Sequence, residues 1–356
     1  MYRQVLIDPE QRCFQRILWK DLDDPKAMVE CFELNTVTYG CASSPFLAVR
    51  CLKQLALEFQ PIYPEACHVI LNCFYLDDLL AGAFSISELL KLQKEVSFIL
   101  SSGGFQLRKW LCNKSELLKS FQVDSTLSSN ILQLGKDEQN KTLGIFWNSS
   151  SDTIHYSIKK FKYEGSVTKR MILSTISQIF DPLGLLGPVV VNGKIILQQL
   201  WQEQLDWDES IPSYLLEYWM EFCNNIQVLN EFSIFRFVLS DNFQVTHLHA
   251  FADASEKAYG GCVYLVCFAN GEYVSSTLLV SKSRIAPIKK ISLPRLELCA
   301  AELVTKLVRK AKEPLSRFKI EKTFYWTDSL ITLSWIKGCP SRWKTLELFI
   351  KVEWSY

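Results

Sequence analysis

Three carboxylates between residues 247 and 337 constrain this chain most, because each falls in a different kind of local structure: Asp253, Glu297 and Asp328. Asp253 follows an alternating run of the type that forms a half-buried strand. Two further apolar runs are joined by Asn270-Gly271, the residue pair most typical of a two-residue hairpin turn. The predicted order of elements is therefore strand, strand, strand, helix, strand and helix.

The surroundings of Glu297 are the most informative. Pro294 precedes it by three residues and suits the first turn of a helix. The residues that share its side of that helix are all apolar; they are Ala300, Ala301 and Val304. A carboxylate on an apolar helix face is costly unless it meets a cation or a metal. This pattern favours a buried, partnered role for Glu297.

The third acid, Asp328, stands at the end of a predicted strand, Thr323–Thr327. Ser329 follows at once and is a suitable cap for a helix over 330–337, which Gly338 would end. The first acid therefore comes from a strand, the second from a helix and the third from a strand tip.

Each acid also has a simpler interpretation when it is taken singly. Asp253 could be a turn residue, Glu297 a partly exposed helix acid and Asp328 part of a helix cap. Acids from three separate elements can also meet at one point and hold two divalent metals. Such ions activate a water and stabilise the leaving oxygen during phosphodiester cleavage. Together, in this element order, the three acids predict a metal site.

A second acidic motif lies near the start of the chain, in Tyr75-Leu-Asp-Asp78. We interpret residues 66–82 as a hairpin with Asp77 and Asp78 at or beside its turn. Adjacent aspartates are common at tight turns for local reasons, because they tolerate the backbone angles and bond their own main chain. The pair alone thus leaves a purely local role open.

Several segments resemble the ribonuclease H domain of BEL/Pao-type long-terminal-repeat retrotransposon polyproteins. They are Phe251-Ala-Asp-Ala-Ser255, Ser281-Lys-Ser283, Leu293-Pro-Arg-Leu-Glu-Leu298 and Trp326-Thr-Asp-Ser329. The resemblance implies that Asp253, Glu297 and Asp328 are metal-binding acids of a two-metal site for Mg²⁺ or Mn²⁺. The family pattern has a fourth acid further on, and residues 351–356 offer no match to it.

The earlier motif resembles the Y-x-D-D motif of reverse transcriptases. The resemblance implies that Asp77 and Asp78 bind the metals of polymerisation. Those reverse transcriptases need a further aspartate just before a stretch that here corresponds to residues 1–6. We therefore expect this chain to have no polymerase activity.

Neighbouring segments extend the same resemblance to the palm. Thr38-Tyr-Gly-Cys-Ala-Ser-Ser-Pro45 is similar to the loop that positions template and nucleotide, which implies nucleic-acid contacts for Tyr39 and Gly40. Leu107-Arg-Lys-Trp110 is similar to a later palm motif and implies the same for Lys109 and Trp110. Leu143-Gly-Ile-Phe-Trp147 is similar to the primer-grip region.

Basic residues cluster just before the helix that carries Glu297; they include Lys282, Arg284 and Arg295. The whole chain has a net charge of only +1, so any attraction to nucleic acid must be local. Basic side chains beside a metal site suit the backbone of a hybrid duplex. A charged loop without a partner is the equally open alternative.

The 12 cysteines contain no Cys-x-x-Cys pair, and a chain of 356 residues does not need disulfides. No signal peptide or membrane-spanning run is evident. We therefore expect a soluble, intracellular protein, cytoplasmic or nuclear, that does not bind membranes.

The fold predicted is α/β and α+β. It combines a truncated reverse-transcriptase palm at 1–150, a mainly helical thumb-connection at 151–240 and a ribonuclease H-like mixed-sheet domain at 241–356. In that domain the last strand would be left as an open edge. We expect a fragment that binds RNA–DNA hybrid or a primer-template duplex and cleaves hybrid RNA. The alternative is a catalytically silent fragment that binds nucleic acid or other polyprotein segments.

Overall fold

The computed structural model describes residues 1–24, 26–75, 77–114, 116–117, 140–142, 145–158, 161, 165–240, 242–316 and 318–338, with backbone alone at 140–142 and 145. Contacts divide the chain into two compact units, Met1–Gly135 and Lys136–Tyr356. The two-residue stretch 143–144 of the primer-grip resemblance and the tail at 351–356 lie outside the described residues. The three-part domain division stays a prediction.

The first unit is built on three helices and two short hairpins. Its elements are the 3-10 helices Tyr2–Gln4 and Pro9–Phe14, strands β1 (Arg16–Trp19) and β2 (Glu30–Glu33), helices α1 (Ser44–Phe59) and α2 (Pro64–Asn72), strands β3 (Phe74–Tyr75) and β4 (Asp78–Leu79), and helix α3 (Ile86–Ser102). Its core joins the three helices through Leu52, Ala56, Ile70 and Ile99. Apolar spacing along the helices thus sets this core.

The hairpin predicted over 66–82 is partly wrong. Residues up to Asn72 are helical, and only Phe74–Leu79 forms a hairpin, with Tyr75 paired to Asp78. Pro64 begins the helix, and its buried residues fall at the helical spacing 66, 67, 69 and 70. A short apolar run does not distinguish a buried strand from a buried helix, so periodicity alone could not place this boundary.

The second unit begins with a helical segment that packs beside a small antiparallel sheet. The sheet consists of β5 (Asn140–Thr142), β6 (Ile145–Asn148), β7 (Thr153–His155) and β8 (Ser233–Phe235). The helices are α4 (Lys169–Ser177), α5 (Gly187–Gln202), α6 (Ser213–Asn225) and the 3-10 helix Ile226–Asn230. Trp219 is buried in their core. Trp201 and Trp207 are 50% and 39% exposed, and the Lys169 ammonium group lies 3.8 Å and 5.3 Å from the centroids of their rings.

The second unit continues into a mixed four-stranded sheet. Its elements are β9 (Val245–Ala254), β10 (Ala258–Ala269), β11 (Glu272–Ile285), helix α7 (Leu293–Lys312), β12 (Ile320–Trp326) and helix α8 (Leu330–Lys337). The strand order is β11-β10-β9-β12, and β12 runs parallel to β9 while the other pairs are antiparallel. Within the described residues no strand pairs with the outer edge of β12.

Helix α7 covers one face of this sheet. It packs Ala300 and Val304 on the buried residues Leu248, Ala250 and Ala252 of β9. Gly261 permits this close approach, because a Cβ there would clash with the Val304 side chain and lie 2.8 Å from the Phe251 carbonyl oxygen. The position of α7, and hence of Glu297, depends on this glycine.

A turn between α4 and α5 fastens the helical segment to the edge strand β11. The Ser281 amide donates to the Leu183 carbonyl at 2.9 Å, and the Ser281 hydroxyl donates to the Gly184 carbonyl. Gly184 has φ +73, and a Cβ there would clash with the Ser281 carbonyl. The carboxylate of Asp181 holds the turn by accepting from the amides of the next turn at 2.8 and 2.9 Å. These contacts cover part of an otherwise open strand edge.

None of the described helices combines the length and the apolar character that crossing a membrane requires.

Candidate metal centre

The parallel pairing of β9 and β12 brings the carboxyl ends of both strands to the same edge of the sheet. Asp253 is the next-to-last residue of β9, and Asp328 follows β12 by two residues. Glu297 is the fifth residue of α7, whose first turns reach this edge. One carboxylate oxygen from each of the three acids lies within 4.8 Å of the other two. The sequence-predicted trio is therefore assembled at one point.

Glu297 is buried, with only 7% of its surface exposed, whereas Asp253 and Asp328 are exposed. Its Oε2 atom has no hydrogen-bond partner. Burial raises the pKa of Glu297 first, and the negative charges of Asp253 and Asp328 raise it further, while a hydrogen bond from the Ala254 backbone opposes them. A buried carboxylate with one unpartnered oxygen, beside two like charges, is stabilised most directly by a cation.

Local contacts fix the elements around the trio. Asp253 accepts from the Ala254 amide at 2.8 Å. Ser329 caps α8 by accepting from the Thr332 amide at 3.2 Å, as the sequence predicted. Thr332 is fully buried, and its hydroxyl lies 3.5 Å from the Pro294 carbonyl oxygen, so α8 is joined to the start of α7.

The donor set fits a divalent metal. Carboxylate oxygens are hard ligands that suit Mg²⁺ and Mn²⁺. Two oxygens bound to one Mg²⁺ are at most about 4.2 Å apart, from metal–oxygen distances near 2.1 Å. The 4.8 Å limit on the three oxygens is close to this value. Among the described residues this is the one such group of three or more metal-ligating side chains.

The second predicted acidic pair has a different geometry. Asp77 and Asp78 are both exposed on the short hairpin of the first unit. Partial burial raises the pKa of Asp78 first and the charge of Asp77 raises it further, whereas the Lys109 ammonium opposes them. Lys109 is thus close enough to act on this pair electrostatically. Within the described part of the chain no third ligating side chain joins the pair.

The other residues of the first unit that are predicted to contact nucleic acid are Tyr39, Gly40 and Trp110. Tyr39 is 59% exposed, and its ring packs edge-on against Tyr2 with the Arg3 guanidinium 5.8 Å from its centroid. Gly40 adopts φ +85 with open space around its Cα, and Trp110 is half-buried. A nucleic-acid role for these residues stays a prediction.

The basic residues predicted beside the trio are exposed and belong to its unit. Lys282 pairs with Gly261, which pairs with Ala252, so the side chain of Lys282 lies on the α7 side of the sheet. Arg284 lies on the same side, since its charge acts on the Cys299 thiol of α7. Arg295 is two residues before Glu297. These residues place positive charge along the start of α7 and the neighbouring strand edge.

Sequence reasoning missed a row of aromatic rings on the other face of the sheet. The rings are those of His247, His249, Phe251, Phe324 and Trp326. The signal was present as ring residues at every second position of β9 and β12. The alternation by itself predicts only a strand, and the row forms when β9 and β12 pair.

Comparison with known proteins finds a family that is similar to part of the second unit. Residues 168–329 match the family described as Pao retrotransposon-like RNaseH-like domain. No curated protein matches the chain.

Two solved structures of a foamy viral enzyme are similar to the chain. A foamy viral protease-reverse transcriptase dRH in complex with ds DNA is 13% identical over 95% of this chain and 51% of that chain, with a TM-score of 0.50. A second structure, of the foamy viral protease-reverse transcriptase with dsDNA, is 14% identical over 96% of this chain and 60% of that chain, with a TM-score of 0.42.

The chain thus spans about half the length of the first structure, and at this identity the likeness concerns the fold. The mixed helix and sheet architecture predicted from the sequence is confirmed. The family match covers the helical segment from α4 onward and the mixed sheet through Asp328. Residues 168–329 are therefore similar to a Pao retrotransposon-like RNaseH-like domain, and the resemblance to Pao-type retrotransposon polyproteins predicted from the sequence is confirmed over this range.

Proposed function

We propose that the second unit is a divalent-metal-dependent ribonuclease that cuts the RNA strand of RNA–DNA hybrids. The observation that carries the proposal is the trio itself, with the buried and unpartnered Glu297 Oε2 at its centre. A structural ion pair would supply a donor to that oxygen, whereas the charged side chains that act on Glu297 are those of Asp253 and Asp328. Residues that merely cap helices have no need of such an arrangement.

The three acids have separable tasks in this proposal. Asp253, Glu297 and Asp328 would hold Mg²⁺ or Mn²⁺, which when bound supplies water activation and stabilisation of the leaving oxygen. Exposed Asp253 and Asp328 face the solvent from which substrate arrives. Burial and the two neighbouring carboxylates make the ionised form of Glu297 costly, and a bound cation would offset that cost.

The proposed substrate follows from the charges beside the site. Lys282, Arg284 and Arg295 are exposed cations close to the acidic trio, and such cations contact phosphates. The foamy viral structures contain double-stranded DNA. This supports a nucleic-acid duplex as ligand, and the choice of a hybrid comes from the family resemblance.

Polymerisation is not proposed for the first unit. Asp77 and Asp78 offer two carboxylates on an exposed hairpin, and no third ligating residue joins them within the described residues. We propose that this unit contributes contacts to a primer-template duplex through Tyr39, Gly40, Lys109 and Trp110.

The test is cleavage of a labelled RNA–DNA hybrid by the whole chain with Mg²⁺, with Mn²⁺ and with a chelator. We expect metal-dependent cutting that Asp253→Asn reduces by roughly a thousandfold or more, since the ligand set would be incomplete. Glu272→Gln, at an exposed carboxylate beside the hairpin turn, is the matched control and should cut normally.

Cutting that survives Asp253→Asn would overturn the assignment of the trio. A folded chain that binds hybrid with steep salt dependence, ignores the chelator and never cuts would support the second candidate, a silent nucleic-acid-binding fragment.

A further inference from the structure

The sheet face opposite α7 carries a continuous row of stacked rings. The Trp326 ring stacks on His249 with centroids 6.0 Å apart and planes at 10°, and on Phe251 at 6.2 Å and 14°. His249 continues to Phe324 at 4.9 Å, and Phe324 to His247 at 5.6 Å. The row thus crosses both strands that carry the aspartates of the metal centre.

The exposed end of the row is the end beside the acids. Phe251 is 42% exposed and Trp326 is 48% exposed, whereas the histidines are half-buried. Phe251 precedes Asp253 by two residues on β9, and the strand period of two places both on one face. Trp326 precedes Asp328 by the same interval. The two exposed rings therefore border the metal centre.

The chemistry of this row suits bases rather than phosphates. The indole of Trp326 donates to His249 Nδ1 at 3.2 Å. Burial lowers the pKa of His249 and the neighbouring His247 lowers it further, which favours the uncharged ring. At the far end of the row, Lys322 is the strand partner of His247 and brings a charged side chain to that end. An uncharged aromatic surface binds the flat faces of bases by stacking.

We propose that an unpaired segment of nucleic acid runs from the metal centre across this face, with its bases stacked on Phe251 and Trp326. The inference rests on the proposed function, because it gives the same site a path for the strand that leaves it. Paired bases expose only their edges to a protein, so the contact requires a single-stranded extension. The segment continues directly from the acids that would hold the scissile phosphate.

The test compares two hybrids, one blunt and one with a four-nucleotide unpaired extension that contains 2-aminopurine. Binding by the whole chain is followed by fluorescence anisotropy with Mg²⁺ in the Asp253→Asn background, where cutting does not interfere. We expect the extended hybrid to bind about tenfold more tightly or better, with quenching of the 2-aminopurine, since base–aromatic stacking contributes on that order per base.

Substitution of the two rings should remove this preference selectively. In Phe251→Leu/Trp326→Leu we expect equal affinity for both hybrids, no quenching, and unchanged affinity for the blunt hybrid. Phe251→Tyr/Trp326→Phe should keep most of the preference. Tyr273→Leu, at a 61% exposed aromatic beside the distant hairpin turn, is the control and should keep all of it.

The outcomes separate this inference from the proposed function. The inference would be overturned if the chain with both rings intact bound the two hybrids equally. It would also be overturned if the preference for the extended hybrid survived in Phe251→Leu/Trp326→Leu, even in a chain that cuts hybrids. A preference that depends on the rings, in a chain that never cuts with an intact trio, would keep the inference and remove the nuclease. The conservative Tyr/Phe variant guards against misfolding, because it keeps ring packing under the same assay.

Discussion

The two acidic sites of this chain differ in how their carboxylates are brought together. Asp77 and Asp78 are neighbours in sequence, exposed on a two-strand hairpin, with Lys109 acting on them. Asp253, Glu297 and Asp328 come from β9, α7 and the end of β12, and the buried one, Glu297, has an oxygen without a hydrogen-bond partner. A turn explains the pair without any ligand. The trio is brought together only by the fold, which places three carboxylates side by side in an arrangement that a cation would stabilise.

The largest expected difference between the sites is the response to divalent metal. At about 100 times the dissociation constant, Mg²⁺ or Mn²⁺ should stabilise the second unit by roughly 2.7 kcal/mol, because the ion binds only the folded trio. Hydrogen exchange should show protection at residues 248–254 and 294–300, and none at residues 74–79. Asp253→Asn should abolish the effect. Equal protection at both sites would remove the distinction drawn between them.

The packing around the two sites should also differ. A methyl group added beside the trio should lower the free energy of unfolding by about 2 kcal/mol, and one added beside the pair should not. Gly261→Ala places a methyl group against Val304 and the Phe251 carbonyl, and overpacking of this kind costs ~1–3 kcal/mol. Gly82→Ala, close to the Asp77-Asp78 hairpin, is the control, since a Cβ there meets nothing within 4 Å. Urea unfolding of both variants measures the difference.

An unchanged free energy of unfolding in Gly261→Ala would contradict the tight packing of α7 on the sheet. Gly261→Ala/Val304→Ala sharpens the result, because removal of the Val304 methyl groups should relieve part of the clash. Cleavage should fall with Gly261→Ala if the displaced helix carries Glu297 away from Asp253.

The trio was predictable from sequence because strand alternation, the Asn270-Gly271 turn and the Ser329 cap all agree on the same elements. Each of these signals is local, and parallel pairing of β9 with β12 then brings the acids together. The prediction of a hairpin over 66–82 is wrong up to Asn72. A short apolar run such as the one that ends there is compatible with a buried helix and with a buried strand, so its sequence does not decide between them.

Other features depended on partners distant in sequence. The exposed positions of Trp201 and Trp207 depend on Lys169, whose ammonium lies 3.8 Å from the Trp201 ring centroid. The fastening of Gly184 to Ser281 joins residues almost a hundred positions apart. No local pattern records such contacts, so the sequence could not show what the turn at Gly184 packs against.

The pH dependence of stability should also separate the sites, by an amount on the order of 1 kcal/mol. The pKa of Glu297 is raised above its ordinary value of 4.5. Its contribution to stability is therefore full below pH 4.5 and is lost as the pH rises through the folded-state pKa. In the presence of a chelator, Glu297→Gln should remove this loss and make the chain more stable at neutral pH than the wild type.

The same variant should lose the stabilisation by Mg²⁺, because it lacks the central ligand. Urea unfolding at several pH values, with and without metal, measures both effects. A Glu297→Gln chain that is less stable than wild type at neutral pH without metal would show that the carboxylate already has a favourable partner.

The smallest expected effect concerns the pair. Asp77 raises the pKa of Asp78 and Lys109 opposes it, so Asp77→Asn should lower that pKa and Lys109→Ala should raise it. Titration of the Asp78 carboxyl carbon by nuclear magnetic resonance measures both directions. Stability should change by no more than about 0.5 kcal/mol, as for other exposed positions. A larger loss in Asp77→Asn would mean that the pair is held by interactions comparable to those of the trio, and the contrast between a turn and an assembled site would no longer stand.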